Sequence, residues 1–170
     1  VVRDHDGYID LSTKAGAGTS FYIYFPTTHE EIVTADNSSV PRGDENVLVV
    51  DDDDIQRDVS ARILTSLGYK VSSAATGEQA VDFLKQHPQH VIVLDMIMPP
   101  GIDGAETYRR IQEIHPGMKA IILSGYAQTD RVREVQAMGA GAFVRKPVTR
   151  RILAEAVRRE LDRKVEMPVS

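Results

Sequence analysis

The sequence predicts an α/β fold in which a parallel β-sheet is covered by helices on both faces, and three observations lead to it. From residue 47 onward, five short apolar runs alternate with five stretches of helical periodicity. The third run, residues 91–94, contains only Val, Ile and Leu, which is typical of a strand buried on both faces. Acidic, hydroxyl or basic residues directly follow several of these runs. In such sheets, ligands bind beyond the carboxyl ends of the strands.

The strands are predicted from runs rich in β-branched residues, and the helices from apolar residues spaced for one helix face. The predicted strands span residues 47–50, 70–73, 91–94, 120–123 and 142–144. The predicted helices span residues 54–67, 77–86, 104–114, 130–138 and 149–164. Their start and stop signals are Gly68 after the first, Thr76 before the second, Pro116 after the third and Pro147 before the fifth.

Four consecutive aspartates separate the first strand from the first helix. Carboxylates at a helix N-terminus are favoured by the helix dipole and accept hydrogen bonds from unpaired N–H groups. We expect Asp53 and Asp54 to take this capping role, with Asp54 as the better cap. Asp51 and Asp52 then remain for chemistry at the edge of the sheet.

The first 45 residues follow a different pattern. Residues 7–11 and 20–25 are two short β-type runs joined by a glycine-rich connection, which predicts a hairpin. The polar stretch that follows contains Pro and Gly and shows no sustained period, which is typical of a linker. We therefore divide the chain into a hairpin segment of residues 1–30, a linker of residues 31–45 and a domain of residues 46–166.

Composition narrows the range of functions. A length of 170 residues with 42% hydrophobic content suits one ordinary domain plus additional polypeptide. The sequence contains no cysteine, so disulfides, thiolate metal sites and cysteine nucleophiles are excluded. A net charge of −5 argues against a nucleic-acid partner. No apolar run approaches the roughly 18 to 20 residues that span a bilayer, so we expect a cytoplasmic segment without membrane contact.

The residues that follow the strands indicate a metal-dependent site. Asp51 and Asp52 follow the first strand, Asp95 the third, Ser124 the fourth and Lys146 the fifth. Carboxylates brought within a few Å of one another repel by several kcal/mol at an effective dielectric constant of about 20, so the site needs positive charge. All-oxygen ligation suits Mg²⁺, which shares its coordination with phosphate oxygens.

Within this set, each side chain has an expected role. Asp95 ends the central and most apolar strand, which makes it the best candidate for a nucleophile. Asp51 and Asp52 form a metal-holding pair. Lys146 supplies positive charge to an incoming phosphoryl group, and Ser124 donates a hydrogen bond to one of its oxygens.

Four segments, VLVVDDDD, VIVLDMIMPPGIDG, IILSGYA and GAFVRKP, resemble in order and spacing the four sequence motifs of two-component receiver domains. The resemblance covers about residues 46–164 and implies a flavodoxin-like (βα)5 fold with strand order 2-1-3-4-5. It implies that Asp95 is the phosphoacceptor, with Mg²⁺ as the cofactor. The loop after the acceptor, residues 98–104, has one residue more than is usual in that family.

The resemblance also assigns the remaining site residues. It implies Asp51 and Asp52 as the acidic pair, the backbone carbonyl of Ile97 as a further metal ligand, Ser124 and Phe143 as switch residues, Lys146 as the invariant lysine, and Pro147 as a cis-proline. The donor would be a phosphohistidine of a histidine kinase dimerisation domain or of a phosphotransfer protein. Phosphorylation would switch the surface of the fourth helix, fifth strand and fifth helix, through which we would also expect a dimer to form.

The N-terminal segment VVRDHDGYIDLSTKAGAGTSFYIYFP resembles the end of a histidine-kinase ATP-binding domain, with Gly16, Gly18, Thr19 and Phe21 matching its closing GxGTxF pattern. The segments that grip ATP and the helix bearing the phosphorylated histidine are not among these residues. The resemblance therefore implies a fragment of a hybrid sensor histidine kinase that carries the attached receiver and no kinase activity of its own.

Two alternatives stay open at the level of sequence. Asp51 and Asp53 imitate the DxD nucleophile pattern of haloacid-dehalogenase-like phosphatases, although the acidic pair expected beyond the lysine is missing. A degenerate receiver that serves as a phosphorylation-independent docking module is the second alternative. Such a module is expected to have lost an acidic residue or the lysine, and both are present here.

Overall fold

The computed structural model describes residues 2–3, 6–16, 18–27, 40–125 and 130–164. The chain divides into two compact units, Val1–Asn37 and Ser38–Ser170. Among the described residues, no helix has the length and apolar character needed to cross a membrane. The early part of the predicted linker, the last two residues of the third motif and the last residues of the predicted domain lie outside the described ranges.

The first unit contains a two-stranded antiparallel sheet, in which β1 (Tyr8–Lys14) pairs with β2 (Gly18–Tyr24). The hairpin was predicted, but its strands run further into the predicted connection than the sequence indicated. Thr13 and Thr19 face each other across the strands, with their hydroxyl oxygens 3.0 Å apart. This cross-strand pair extends the ladder, and Gly16 at φ 77° makes the tight turn that remains.

The second unit contains the predicted parallel sheet. Its strands are β3 (Asn46–Val50), β4 (Lys70–Ala74), β5 (Val91–Asp95), β6 (Ala120–Ser124) and β7 (Phe143–Arg145). They lie side by side in the order β4-β3-β5-β6-β7, and every neighbouring pair is parallel. Counted within this unit, the order is 2-1-3-4-5, so the predicted fold class is confirmed.

Within the described ranges, five helices cover the two faces of this sheet. They are α1 (Asp54–Ser66), α2 (Gly77–Leu84), α3 (Gly104–Ile114), α4 (Asp130–Ala137) and α5 (Arg150–Asp162). Alternate residues of the central strands enter opposite cores, because side chains along a strand alternate between its faces. Leu48 and Ile92 pack with α2, α3 and α4, whereas Val49 and Val93 pack with α1 and α5.

The start of α1 differs from the sequence prediction. Asp53, not Asp54, is the N-cap, and its carboxylate accepts hydrogen bonds from the backbone N–H groups of Ile55 and Gln56 at 2.8 and 3.1 Å. Asp53 has the extended backbone that a cap requires, with φ −76° and ψ 111°. Asp54 already lies in the first helical turn, where its carboxylate forms an ion pair with Arg57.

Residues 40–45, the described end of the predicted linker, pack within the second unit. Val40 is buried in the core shared by α1 and α5. The backbone N–H of Gly43 donates to the carbonyl of Leu67 at 3.3 Å. Glu45 forms an ion pair with Arg158 of α5, with 2.7 Å between Oε1 and the guanidinium. The compact unit therefore includes residues that precede the first strand of its sheet.

We predict that Glu45→Gln lowers the free energy of unfolding by about 1 kcal/mol near neutral pH, because it removes a half-buried ion pair. Burial acts to raise the pKa of Glu45, but its hydrogen bonds to Arg158 and to backbone N–H groups outweigh burial and lower it. Since the folded-state pKa lies below the unfolded value, this stabilisation is complete above the unfolded pKa and is lost as pH falls through the folded pKa.

Urea unfolding of wild type and variant at a series of pH values measures this difference. The two curves of stability against pH should converge in acid. A difference that stays constant down to about pH 3 would contradict an electrostatic origin.

Candidate functional site at the carboxyl edge of the sheet

Three carboxylates meet where β3 and β5 end. Asp51 and Asp52 follow β3, and Asp95 is the last residue of β5, its neighbour in the sheet. One carboxylate oxygen from each residue lies within 4.8 Å of the other two. Asp51 and Asp95 are buried, whereas Asp52 is exposed. The strand ends therefore bring together the acidic side chains that the sequence analysis selected, and the cluster could hold a metal ion.

Lys146 lies between the two buried carboxylates. Its Nζ is 2.7 Å from Oδ2 of Asp51 and 3.1 Å from Oδ2 of Asp95. The backbone N–H of Lys146 donates to the carbonyl of Ser124 at 2.9 Å, which extends the β6–β7 pairing to the lysine. The following Lys146–Pro147 peptide bond is cis. The lysine thus comes from an edge strand of the sheet and contacts acids at the ends of β3 and β5.

The pKa values of Asp95 and Lys146 depend on burial and on the charges beside them. Burial raises the pKa of Asp95, and the neighbouring Asp51 adds to the increase, while Lys146 opposes it. For Lys146, burial acts to lower the pKa, but hydrogen bonds and Coulomb attraction from Asp51 and Asp95 outweigh it, so that the pKa is raised. The ammonium group therefore stays protonated, and a second cation beside these acids would relieve the repulsion that remains.

Backbone N–H groups fix one oxygen of each buried carboxylate. The backbone N–H of Asp53 donates to Oδ1 of Asp51 at 3.0 Å, and that of Met96 donates to Oδ1 of Asp95 at 2.9 Å. In both residues the other oxygen, Oδ2, contacts Lys146. The two side chains are therefore held with a defined oxygen toward the centre of the site.

Ser124, Ile97 and Phe143 have different surroundings. Ser124 ends β6 and is buried, and it lines a pocket of about 420 Å³ together with Ile97 and other residues of the loop after Asp95. The side chain of Ile97 is half exposed. Phe143, at the start of β7, is partly buried and packs against the core beneath α2, α3 and α4.

The loop that carries an additional residue is tied to α2 by one hydrogen bond and closed at its base by another. The backbone N–H of Ile102 donates to Oε1 of Glu78 in α2 at 3.0 Å, and that of Gly104 donates to the carbonyl of Met96 at 3.2 Å. A Cβ atom at Gly104 would lie 2.4 Å from the carbonyl oxygen of Asp95. A side chain is therefore excluded there. In the sequence, the pattern that indicates this close approach is the Asp103–Gly104 pair at the start of α3.

Arg57 is a residue of this site that the sequence analysis did not select. Its guanidinium donates to the backbone carbonyl of Asp51 at 2.7 Å and also contacts the carboxylate of Asp54. The available signal was an arginine three residues after the last of four aspartates, a spacing that brings side chains together on a helix.

The geometry does not favour the phosphatase alternative. That reaction requires the carboxylates of Asp51 and Asp53 to act together, whereas the carboxylate of Asp53 caps α1. Asp53 is also absent from the cluster formed by Asp51, Asp52 and Asp95 within the described part of the chain.

Sequence comparison identifies relatives of the second unit and of the whole chain. Residues 47–158 match the family described as the response regulator receiver domain. The sensor kinase CckA of Brucella abortus is 31% identical over 96% of this chain, which spans 18% of that protein. Sporulation initiation phosphotransferase F of Bacillus subtilis is 31% identical over 69% of this chain and 94% of its own length. The chain thus spans about a fifth of the sensor kinase that it matches.

Solved structures of related proteins are also similar to this chain. A CheY-like response regulator receiver domain protein from Methanospirillum hungatei matches 71% of this chain and 95% of its own, with a TM-score of 0.66 and 31% identity. The CheX–CheY–BeF3–Mg complex from Borrelia burgdorferi contains a chain that matches 68% of this one and 87% of its own, with a TM-score of 0.63 and 30% identity.

We predict that Lys146→Met lowers the free energy of unfolding by about 2 to 3 kcal/mol in the presence of EDTA, because two buried carboxylates lose their contact with the ammonium group. Lys85→Met is the matched control, since Lys85 pairs with Asp82 on the exposed side of α2 and its loss should change stability by less than about 0.5 kcal/mol. Chemical denaturation measures both variants. Equal stabilities of Lys146→Met and wild type would mean that the acids do not depend on this cation.

Proposed function

The chain belongs to the response regulator receiver domain family, and from that membership we propose that Asp95 accepts a phosphoryl group from a phosphohistidine in a two-component phosphorelay. The observation that supports this assignment best is the position of the Asp95 carboxylate. It is held by Lys146 and by a backbone N–H, beside two further carboxylates at the edge of the sheet. Such a group combines a nucleophile with a nearby site for a cation.

Mg²⁺ is the cofactor that we propose for this site. The donor set fits it, because the clustered groups are carboxylates, which are hard oxygen ligands. Asp51, Asp52 and Asp95 would hold the ion, together with the backbone carbonyl of Ile97. When bound, Mg²⁺ would neutralise negative charge on the phosphoryl oxygens. A relative that was crystallised with BeF3 and Mg²⁺ supports this choice.

The protein's own groups account for the transfer as follows. A carboxylate oxygen of Asp95 forms a bond to phosphorus as the P–N bond of phosphohistidine breaks, and the bonding electron pair returns to the imidazole nitrogen. The ammonium group of Lys146 stabilises negative charge on the phosphoryl oxygens, and Ser124 donates a hydrogen bond to one of them. The product is an acyl phosphate on Asp95.

We propose that Ser124 and Phe143 couple phosphorylation of Asp95 to a structural change at the surface of the domain. If Ser124 moves toward the phosphoryl oxygens, it vacates space beside the core into which the ring of Phe143 can turn. Phe143 begins β7, and residues of α4 and α5 flank this strand. We propose the surface of α4, β7 and α5 as the output surface and as the place where a dimer would form.

We further propose that the parent protein is a hybrid sensor histidine kinase and that the hairpin is the end of its ATP-binding domain. The similarity to a sensor kinase extends over 96% of this chain, and therefore over parts of both compact units. The phosphoryl donor would be the histidine of a kinase dimerisation domain or of a phosphotransfer protein. We propose a cytoplasmic location for this fragment, without nucleic-acid binding or direct membrane contact, in a parent kinase that can itself be anchored in the membrane.

We predict that acetyl phosphate with Mg²⁺ adds one phosphoryl group to wild type and none to Asp95→Asn, as measured by intact mass. Asp103→Asn is the matched control. Asp103 lines the same pocket as Ser124 and caps α3, and asparagine preserves a cap. This control should be phosphorylated as wild type is. Persistent modification of Asp95→Asn, with loss in Asp51→Asn, would assign the nucleophile to Asp51 instead.

We predict that Ser124→Ala slows this phosphorylation by about tenfold, since one hydrogen-bond donor to the phosphoryl oxygens is lost. The variant should also lose the NMR shift changes that BeF3 and Mg²⁺ induce in α4, β7 and α5. Ser73→Ala, which removes an exposed hydroxyl from β4, should retain both properties. A wild-type rate together with a wild-type surface response in Ser124→Ala would exclude the proposed role of Ser124.

A further inference from the structure

Arg57 contacts the main chain of the acidic site and not its carboxylates. It lies in the first turn of α1, and its side chain is 19% exposed. One guanidinium nitrogen donates to the carbonyl oxygen of Asp51 at 2.7 Å. Another nitrogen contacts the carboxylate of Asp54, which is 88% exposed. The guanidinium therefore bridges the start of the acidic turn and its end.

The carbonyl that Arg57 holds belongs to the peptide unit between Asp51 and Asp52. The side chain of Asp51 is fixed separately, by the backbone N–H of Asp53 at 3.0 Å and by Lys146 at 2.7 Å. Asp52 is exposed, so the direction of its side chain depends largely on how this peptide unit is oriented. The contact from Arg57 therefore restrains the peptide unit that joins these two aspartates.

We propose that Arg57 is a positioning residue for the divalent cation, because it fixes the peptide unit from which Asp51 and Asp52 reach the site. This inference rests on the proposed function, since it assumes that these carboxylates hold Mg²⁺. Groups that orient metal ligands without touching the metal commonly change metal affinity by about 10- to 100-fold when they are removed. Arg57 fits this description, because it contacts the backbone carbonyl of Asp51 and not the carboxylates that would bind the metal.

The charge of Arg57 alone would have the opposite effect. A guanidinium near a metal site repels the incoming cation, so that its removal would strengthen binding. Positioning by hydrogen bonds predicts weaker binding after removal. The sign of the change in Mg²⁺ affinity therefore separates the two roles.

The experiment compares Arg57→Met with wild type and with Arg62→Met. Arg62 also lies on α1, but it is 80% exposed and pairs with Asp58 one turn away. Mg²⁺ dissociation constants are measured by calorimetry and by NMR titration, and unfolding with EDTA checks that each variant is folded. We expect the dissociation constant to rise about tenfold in Arg57→Met and to stay within about twofold of wild type in Arg62→Met.

A second readout separates positioning from a general loss of structure. The Mg²⁺ concentration that gives half-maximal phosphorylation by acetyl phosphate should rise in Arg57→Met, while the rate at saturating Mg²⁺ stays within about twofold of wild type. If Arg57→Met does not fold, Arg57→Lys takes its place in the measurement of Mg²⁺ affinity. The lysine keeps the positive charge but cannot bridge two acceptors. We then expect a dissociation constant about threefold above wild type.

An unchanged or lower dissociation constant in folded Arg57→Met would overturn the proposal, as would wild-type affinity in Arg57→Lys where that variant decides. Failure of the proposed function gives a different result. In that case wild type itself neither binds Mg²⁺ nor is phosphorylated at Asp95.

Discussion

The contact of one ammonium group with two buried carboxylates is the interaction on which the rest of this site depends. Lys146 comes from the end of β7, whereas Asp51 and Asp95 come from the ends of the neighbouring strands β3 and β5. Burial and the neighbouring Asp51 raise the pKa of Asp95, and Lys146 opposes this increase. The ion pair with Lys146 thus favours the ionised carboxylate, which is the form that can act as a nucleophile or as a metal ligand.

The sheet explains how such distant residues meet. Parallel strands end at one edge, and the apolar residues of β3, β5 and β6 are buried between two helical layers. The polar residues that follow these strands are therefore fixed by a core that extends across the whole unit. Backbone contacts then set their orientation: the N–H groups of Asp53 and Met96 hold the acids, and the carbonyl of Ser124 holds the main chain of Lys146.

The sequence was sufficient to predict the sheet and the residues at its edge, because apolar runs and the polar residues after them are local patterns. It was not sufficient where several adjacent residues could serve equally well. Any aspartate of the acidic run can cap a helix, and the choice of Asp53 over Asp54 depends on where the backbone becomes helical. Long-range contacts were also hidden, since Glu45 and Arg158 are 113 residues apart in sequence. The role of Arg57 was missed because its sequence spacing indicates only the pair with Asp54, whereas its partner at the site is the backbone carbonyl of Asp51.

The most direct test of the account is a crystal structure of the chain with Mg²⁺ and BeF3, which forms a stable imitation of an aspartyl phosphate. We predict that beryllium is bonded to a carboxylate oxygen of Asp95, with Lys146 and Ser124 in contact with fluorine atoms and the ion held by the aspartate cluster. Beryllium bonded to Asp51, or a cation bound away from these three aspartates, would contradict the assignment of the acceptor.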